Sequence, residues 1–472
     1  MPSTPKSAAS ESLSKRDLVP IIVMMVGSFT AILNQTLMTS ALPHLMRDFG
    51  ITSNTAQWLS TGFMLTNGIM IPITAFLIQK FTTRQLFLYA IGMFLFGTLV
   101  CTAAPGFGVL LAGRILQAMG AGMLMPLLQT VLFIVFPPNR RGTAMGWFGL
   151  VIAFAPALGP TLSGLIIDML PWRFLFVPLI VIAVAVLAVA IPTVRNVTTP
   201  TNPRIDIPSV ALSTLGFGGL LYGFSVAGQN GWSDAGTVGA LIVGAVALVV
   251  FIMRQLRLPQ PMLNFRVFAK PMFALPMAIV VLVFVTFITS MNILPMYIQN
   301  SLGLTALQSG LLLMGGGVAE GVFNPVAGRL FDRIGIRRLA PPAIAVIALA
   351  SFALSRMSAS TPAWYPAVFF TVMMTGVAFC LMPLTTTALN QLTGPLIAHG
   401  TAMNNTLRQT MAAISIALYF TVMTSHTQTA SVAGSAGAGL AHGVDAAFTV
   451  SVVVSCIALV LSLCVRDTSR QR

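Results

Sequence analysis

The sequence predicts an all-α integral membrane protein of fourteen transmembrane helices, built as two six-helix halves with a two-helix insert between them. Three observations carry that expectation. Of the 472 residues, 56% are hydrophobic and only 7% are charged, whereas soluble domains carry about 25% charged residues. Apolar runs of about 18–28 residues, long enough to cross a bilayer as helices, recur along the whole chain. The Lys and Arg residues fall in short clusters between those runs, so the net charge of +15 reads as membrane topology and not as a nucleic-acid-binding face.

In order, the spans fall at 18–43, 57–78, 85–104, 108–135, 143–168, 173–194, 208–228, 235–253, 271–298, 308–330, 339–356, 364–388, 402–424 and 441–465. The first run is too long for a secretory h-region and has no A-x-A cleavage site, so it reads as a retained span. With both termini in the cytoplasm, 21 of the 25 Lys and Arg residues, Arg408 among them, fall at cytoplasmic span ends. Arg47, Arg173 and Arg356 are external, and Arg114 alone lies inside a span. That asymmetry supports both the orientation and an even number of spans. The expected divisions are a tail (1–17), an N-terminal half (18–194), the insert with its linkers (195–270), a C-terminal half (271–466) and a second tail (467–472). Cys101, Cys380, Cys456 and Cys464 lie in apolar spans without a CxxC pair, and read as small core residues rather than disulfides or metal ligands.

The tenth span holds a single acid, Glu320, near its midpoint. At 1.5 Å per residue it lies roughly 18 Å from either end, close to the bilayer midplane. An acid at that depth marks a functional site, because it is neutral or charged according to what else occupies the site. The alternative is a structural acid paired with a neighbouring helix. The other nine acids sit in tails, loops or span ends.

Several motifs follow a common plan. Gly328, Asp332, Arg333, Gly335, Arg337 and Arg338 fit G-x-L-x-D-R-x-G-x-R-R in the loop after the tenth span. Glycines there allow a tight turn and close helix approach, and the charged residues can bridge neighbouring helix ends. The loop Ala75–Arg84 has the same spacing in the first half, but Gln79 and Thr82 replace the Asp and the second Gly. A charge-based latch is therefore not expected on that side. Such internal repeats mark secondary transporters. Arg114 and Gln117 lie inside the fourth span beside Gly120 and Gly122. A buried Arg needs acceptors or water, so Arg114 is either a cation acting on a proton site or one satisfied by backbone carbonyls. In the fifth span, Gly159, Pro160 and Gly164 suggest a bend and a close helix contact.

The loop motif is that of the major facilitator superfamily, and the Arg114 and Gly159–Pro160 segments resemble its second and antiporter motifs. Together with Leu33–Pro43, Leu294–Gly310, Met382–Leu392 and His399–Gln409, they make nearly the whole chain resemble the fourteen-span drug:proton antiporters, nearest to the lincomycin-resistance type of exporter. The resemblance implies a major facilitator fold in a bacterial cytoplasmic membrane, with alternating access around a central cavity. It also implies a monomer that exchanges a lipophilic small molecule for protons, surrounded by membrane lipid and driven by the proton gradient without a cofactor. The family pattern carries Asp in the first helix where this chain has Asn34. Asn34 cannot carry a proton, which leaves Glu320, with Arg114, as the expected coupling site. Cavity candidates are Asn34, Gln35, Gln117, Met123, Asn292, Met382 and Asn390; methionine suits adaptable surfaces, though the many others here are membrane core.

A lipid or glycolipid translocase on the same fold would share the acid and need a lateral opening. An uptake symporter is disfavoured by the fifth-span motif, by resemblance only. An enzyme finds no support, since the sequence has no P-loop, HExxH or nucleophile elbow, and a channel would need a filter-like loop.

Overall fold

The computed structural model describes residues 15–467 apart from 199, 202, 204, 205, 359 and 432–435. Most of both expected tails, and Arg204 in the first linker, therefore lie outside the described residues. Fourteen α-helices form among the described residues. One half comprises α1 (Lys15–Phe49), α2 (Ser53–Lys80), α3 (Thr83–Thr102), α4 (Phe107–Val135), α5 (Arg141–Met169) and α6 (Phe176–Thr193). The insert is α7 (Ile207–Asn230) and α8 (Ala235–Arg257). The second half comprises α9 (Pro271–Asn300), α10 (Ala306–Ile334), α11 (Ile336–Leu354), α12 (Trp364–Leu389), α13 (Leu396–Ser431) and α14 (Ala436–Leu463).

Helix limits follow local chemistry. Thr82 and Thr305 open α3 and α10 with capping boxes that use Gln85 and Gln308, each satisfying two otherwise orphaned amides. Gly335 ends α10 at φ +81°, where a side chain would be strained. Its amide bonds back to Phe331, and Arg337 N donates to Asp467 Oδ1 at 3.2 Å.

Thirteen of these helices are long and apolar enough to cross a membrane, and α13 is the exception. Its composition has a packing cause: Asn404 (0% exposed) and Arg408 (8%) face protein, not lipid. Large apolar side chains such as Val246, Leu349, Val460 and Leu463 are exposed on the outside of the bundle, as expected where lipid is the solvent. Cys101 and Cys380 are buried, but Cys456 and Cys464 are exposed, so only the first pair are core residues. The reason is periodicity: an apolar span buries one face, and α14 turns Cys456 away from it, while Cys464 follows the helix's last residue.

Within its own half α1 packs on α2, α4, α5 and α6, while α9 packs on α10, α12, α13 and α14. The halves meet mainly where α5 lies along α10 and where α2 meets α13. The insert covers the second seam. Trp58 of α2 stacks on Tyr222 of α7 at 5.8 Å, and Trp232 Nε1 donates to Thr421 of α13 at 2.7 Å. A Cβ on Gly68 of α2 would meet both Leu221 of α7 and Gln409 of α13.

Candidate functional site

Glu320 projects from α10 into protein and is 2% exposed, the one buried acid among the described residues. Its Oε2 has no hydrogen-bond partner. The α5-facing side of α10 is made of small residues: a Cβ on Gly317 would meet Ala157, and one on Gly321 would meet Phe154. Glu320 faces elsewhere, towards the Cys380 thiol of α12, with the Arg408 guanidinium of α13 close enough for its charge to act on the carboxyl. Arg408 lies over the Phe284 ring of α9 at 4.4 Å. Its expected place at a cytoplasmic helix end is wrong. It stands twelve residues inside α13, about 18 Å along the axis, because the polar residues of that helix disguise where the span begins.

The second polar centre lies in the N-terminal half. Arg114 is fully buried. Its NH1 donates to Asn34 Oδ1 and to Gln117 Oε1, both at 3.0 Å, and its Nε donates to the Leu59 carbonyl at 3.3 Å. Asn34 Nδ2 donates to Gln117 Oε1 at 3.2 Å, and Gln117 Nε2 donates to Thr98 at 2.9 Å. The guanidinium stacks on Phe63 at 4.3 Å. All the bonding partners in this network are amides, a hydroxyl and a carbonyl. Asn34 stands where an acid would pair with Arg114, so the centre holds a charge without an exchangeable proton. Gly120 and Gly122 bring the backbone of α4 onto α3 and α2: a Cβ on Gly120 would sit 2.3 Å from the Ala90 carbonyl.

The halves are joined at the end of the bundle that carries Arg140, Arg141, Arg333 and Lys270, here the basic end. Asp332 of α10 accepts from Gly142 N (2.9 Å), Thr143 N (2.8 Å) and Thr143 Oγ1 (2.7 Å), at the first turn of α5. A carboxylate there satisfies orphaned amides and meets the positive end of the helix dipole. Gly328 and Gly142 make this possible: a Cβ on Gly328 would lie 2.2 Å from the Gly142 carbonyl oxygen. Arg141 donates to Asn390 at 3.0 Å, Asn405 to Gln129 at 2.6 Å, and Thr130 and Thr401 bond at 2.8 Å. On the other seam His399 of α13 lies 3.1 Å from the Gln79 side-chain amide, and its Nδ1 accepts from Asn264 N at 3.3 Å. A cleft of about 370 Å³ opens beside it, lined by both linkers with Gln79, Asp206 and His399.

The remaining expected residues scatter. Gln35 is half-buried on α1, and Met382 is buried where α12 meets Gly149 of α5. Met123 is core, at 0% exposure. Asn390 caps the end of α12 and holds Arg141, so it belongs to the closure and not to a cavity. Asn292 is exposed and its amide turns back to the Ile288 carbonyl at 2.7 Å. Gly159 touches Thr36 of α1, but a Cβ on Gly164 would meet nothing within 4 Å, so Gly164 makes no close contact: the α5 surface it faces is open. Pro160 lies in α5 with its side chain outside the described residues. Arg333 and Arg337 are exposed. The sequence reading missed Arg408, His399, Asn324 and Asn404; the last two are buried, with side-chain atoms that lack partners.

The family model for the Major Facilitator Superfamily matches residues 24–417. The chain belongs to the major facilitator superfamily. It is 48% identical to the uncharacterized MFS-type transporter YcnB of Bacillus subtilis, covering 95% of each chain. It is 41% identical to the lincomycin resistance protein LmrB of Listeria innocua, covering 95% of this chain and 97% of the relative. It is 26% identical to the multidrug export protein EmrB of Escherichia coli, over 86% and 80%. Solved major facilitator structures share the fold. The proton:xylose symporter XylE matches with a TM-score of 0.66 at 13% identity over 97% of each chain, and the human organic anion transporter MFSD10 with 0.65 at 14% over 94% and 99%. The chain is therefore a multi-pass transporter of the bacterial inner membrane.

Proposed function

We propose that this chain exports lipophilic, drug-like molecules from the cytoplasm in exchange for protons, using the proton gradient and no cofactor. The basic end is cytoplasmic, since Lys and Arg gather on that side. The halves are latched together there, while α1 and α9 each stay within their own half. This corresponds to the outward-facing stage of alternating access. The observation that carries the exchange reading is Glu320, a buried carboxyl at mid-depth whose Oε2 has no partner in the protein. A proton arriving from outside neutralises it, and substrate entering from the cytoplasm favours its release. The relatives named for lincomycin resistance and multidrug export support drugs as the cargo. A lipid translocase would need a lateral opening, and both seams are covered here, one by α7 and the other by the glycine contacts of α5 with α10.

The test is lincomycin or ethidium transport by energised inverted vesicles. Wild type transports only while the proton gradient stands, and Glu320→Gln does not transport. Gradient-driven transport by the variant would remove Glu320 from the mechanism. Wild type that moves neither drug would remove the drug-exporter reading.

A further inference from the structure

His399 is 4% exposed, the one buried histidine among the described residues. It stands where the N-terminal half, the second linker and the C-terminal half meet. It belongs to the first turn of α13, ahead of the span expected at 402–424. Gln79 of α2 brings its side-chain amide nitrogen to 3.1 Å from Nε2, and Asn264 of the second linker donates its backbone N–H to Nδ1 at 3.3 Å. The cleft of about 370 Å³ beside the ring has walls from both linkers, which places it at the basic end, facing the cytoplasm in the orientation given above.

A second ring proton has no acceptor in this place. A neutral imidazole has one N–H and one acceptor nitrogen, whereas an imidazolium has two N–H groups. The Gln79 amide can turn its oxygen or its nitrogen to Nε2, so it suits the ring in either role. Asn264 cannot adapt, because its N–H is backbone, and a proton on Nδ1 would meet it donor to donor. The first turn of α13 also sets the positive end of the helix dipole against a cation. Burial acts in the same direction and pushes the imidazole down to about 4. The charged groups on the surrounding elements are engaged elsewhere. Lys80 of α2 lies over the Phe76 and Phe81 rings. Asp206, the acid lining the cleft ahead of α7, takes two bonds from Arg254. Arg266 in the turn Phe265–Ala269 donates to the Leu256 carbonyl, and Lys270 at the start of α9 donates to the Gln391 carbonyl. Arg141, just past α4, donates to Asn390, and Asp467, just past α14, accepts from Arg337 N. The ion pairs among the described residues are Arg254 with Asp206 and His442 with Asp445, so the His399 ring is in none.

We propose that His399 is a cytoplasmic pH gate: the basic end closes along the α2–α13 seam only while this ring is neutral. When the end opens, Gln79 parts from the ring, water reaches the imidazole, and its affinity for a proton returns towards the ordinary value near 6.5. The closed form therefore binds fewer protons than the open form. Closure is fully favoured above a pH of about 6.5 and is lost progressively as the pH falls below it. From pH 7.5 to 5.5 the open-to-closed ratio should rise roughly tenfold. The consequence for transport rests on the proton-exchange reading. A transporter that admits protons in each cycle would be held open to the inside once the cytoplasm turns acid, and proton entry would stop there.

Double electron–electron resonance on the purified full chain in lipid nanodiscs, with spin labels at the basic ends of α2 and α13, reads the gate without knowledge of the substrate. Glu320→Gln serves as the background, so that the titration of that carboxyl drops out. In this background the open-to-closed ratio should rise roughly tenfold from pH 7.5 to 5.5, and adding His399→Gln should leave it flat. No rise with His399 present overturns the proposal, as does an equal rise without it. If His399→Gln does not fold, Gln79→Glu takes its place. A carboxylate beside Nε2 gives the protonated ring a counter-charge, so acid should no longer open the seam, and an undiminished opening overturns the proposal. If Glu320→Gln still transports uphill while its seam opens in acid as expected, the gate stands and the exchange reading fails.

Discussion

Two seams close the basic end of this protein, and they close by different chemistry. On the α5–α10 seam, the intact loop motif places the carboxylate of Asp332 on three donors at a helix start. On the α2–α13 seam, the repeat-related loop has Gln79, which meets His399 instead. Nδ1 of that histidine accepts from Asn264 N, and no carboxylate takes part in this latch. The weaker seam is reinforced from outside. Thr201 N donates to the Gln79 carbonyl at 2.9 Å, tying the first linker to the N-terminal half, and Asn264 ties the second linker to α13. The insert is itself fastened by Asp206, which accepts from Arg254 Nε and NH2 at 2.8 Å each. One side thus relies on charge and helix dipole, and the other on a covalent strap of two helices.

That contrast orders the expected effects. Gly328→Ala should be the most damaging, because the new methyl would sit 2.2 Å from backbone that cannot yield. Basic-end distances measured by double electron–electron resonance should lengthen across α5 and α10, and transport should be lost with the protein still inserted. Asp332→Asn keeps the shape and removes the charge. At about 1.5–3 kcal/mol for hydrogen bonds to a charged group, the closed population should fall by roughly tenfold or more in the same experiment. Gln79→Ala removes a neutral bond worth about 0.5–1.5 kcal/mol, and the strap should keep that seam closed, so a smaller change is expected. If Gln79→Ala opens the end as far as Asp332→Asn does, the distinction between the seams fails.

Asp206→Asn should have the smallest effect. Arg254 holds the Asp206 carboxyl below the usual carboxylate range, helped by Ser209 and opposed by partial burial. A carboxyl depressed in the folded state adds stability above its unfolded value of about 4 and loses it as the pH falls further. Wild type and Asp206→Asn should therefore differ slightly in melting temperature at neutral pH and converge in strong acid.

Much of this was legible in the chain. The span pattern follows from hydropathy, and Glu320 stands out because it is the one acid within the tenth span, far from the charges at its basic end. The Asp332 latch was legible too, since its spacing is local. What sequence hides is direction and distance. His399 lies 320 residues from Gln79, so the first loop, read as lacking a charge-based latch, carried no sign of the contact that replaces it. Arg408 looked like a topogenic charge because its helix is polar enough to obscure the span. Asn390 looked like a cavity residue because polar residue types were counted without their depth. Met123 looked like adaptable lining, and its burial depends on a helix rotation that an all-apolar span does not reveal.

The central claim is that Glu320 couples the two halves of the transport cycle to protons. Its most direct test is to compare uphill transport with equilibrium exchange of radiolabelled lincomycin in proteoliposomes. The account predicts that Glu320→Gln keeps substrate–substrate exchange and loses gradient-driven accumulation. Accumulation at the wild-type level by the variant would contradict it.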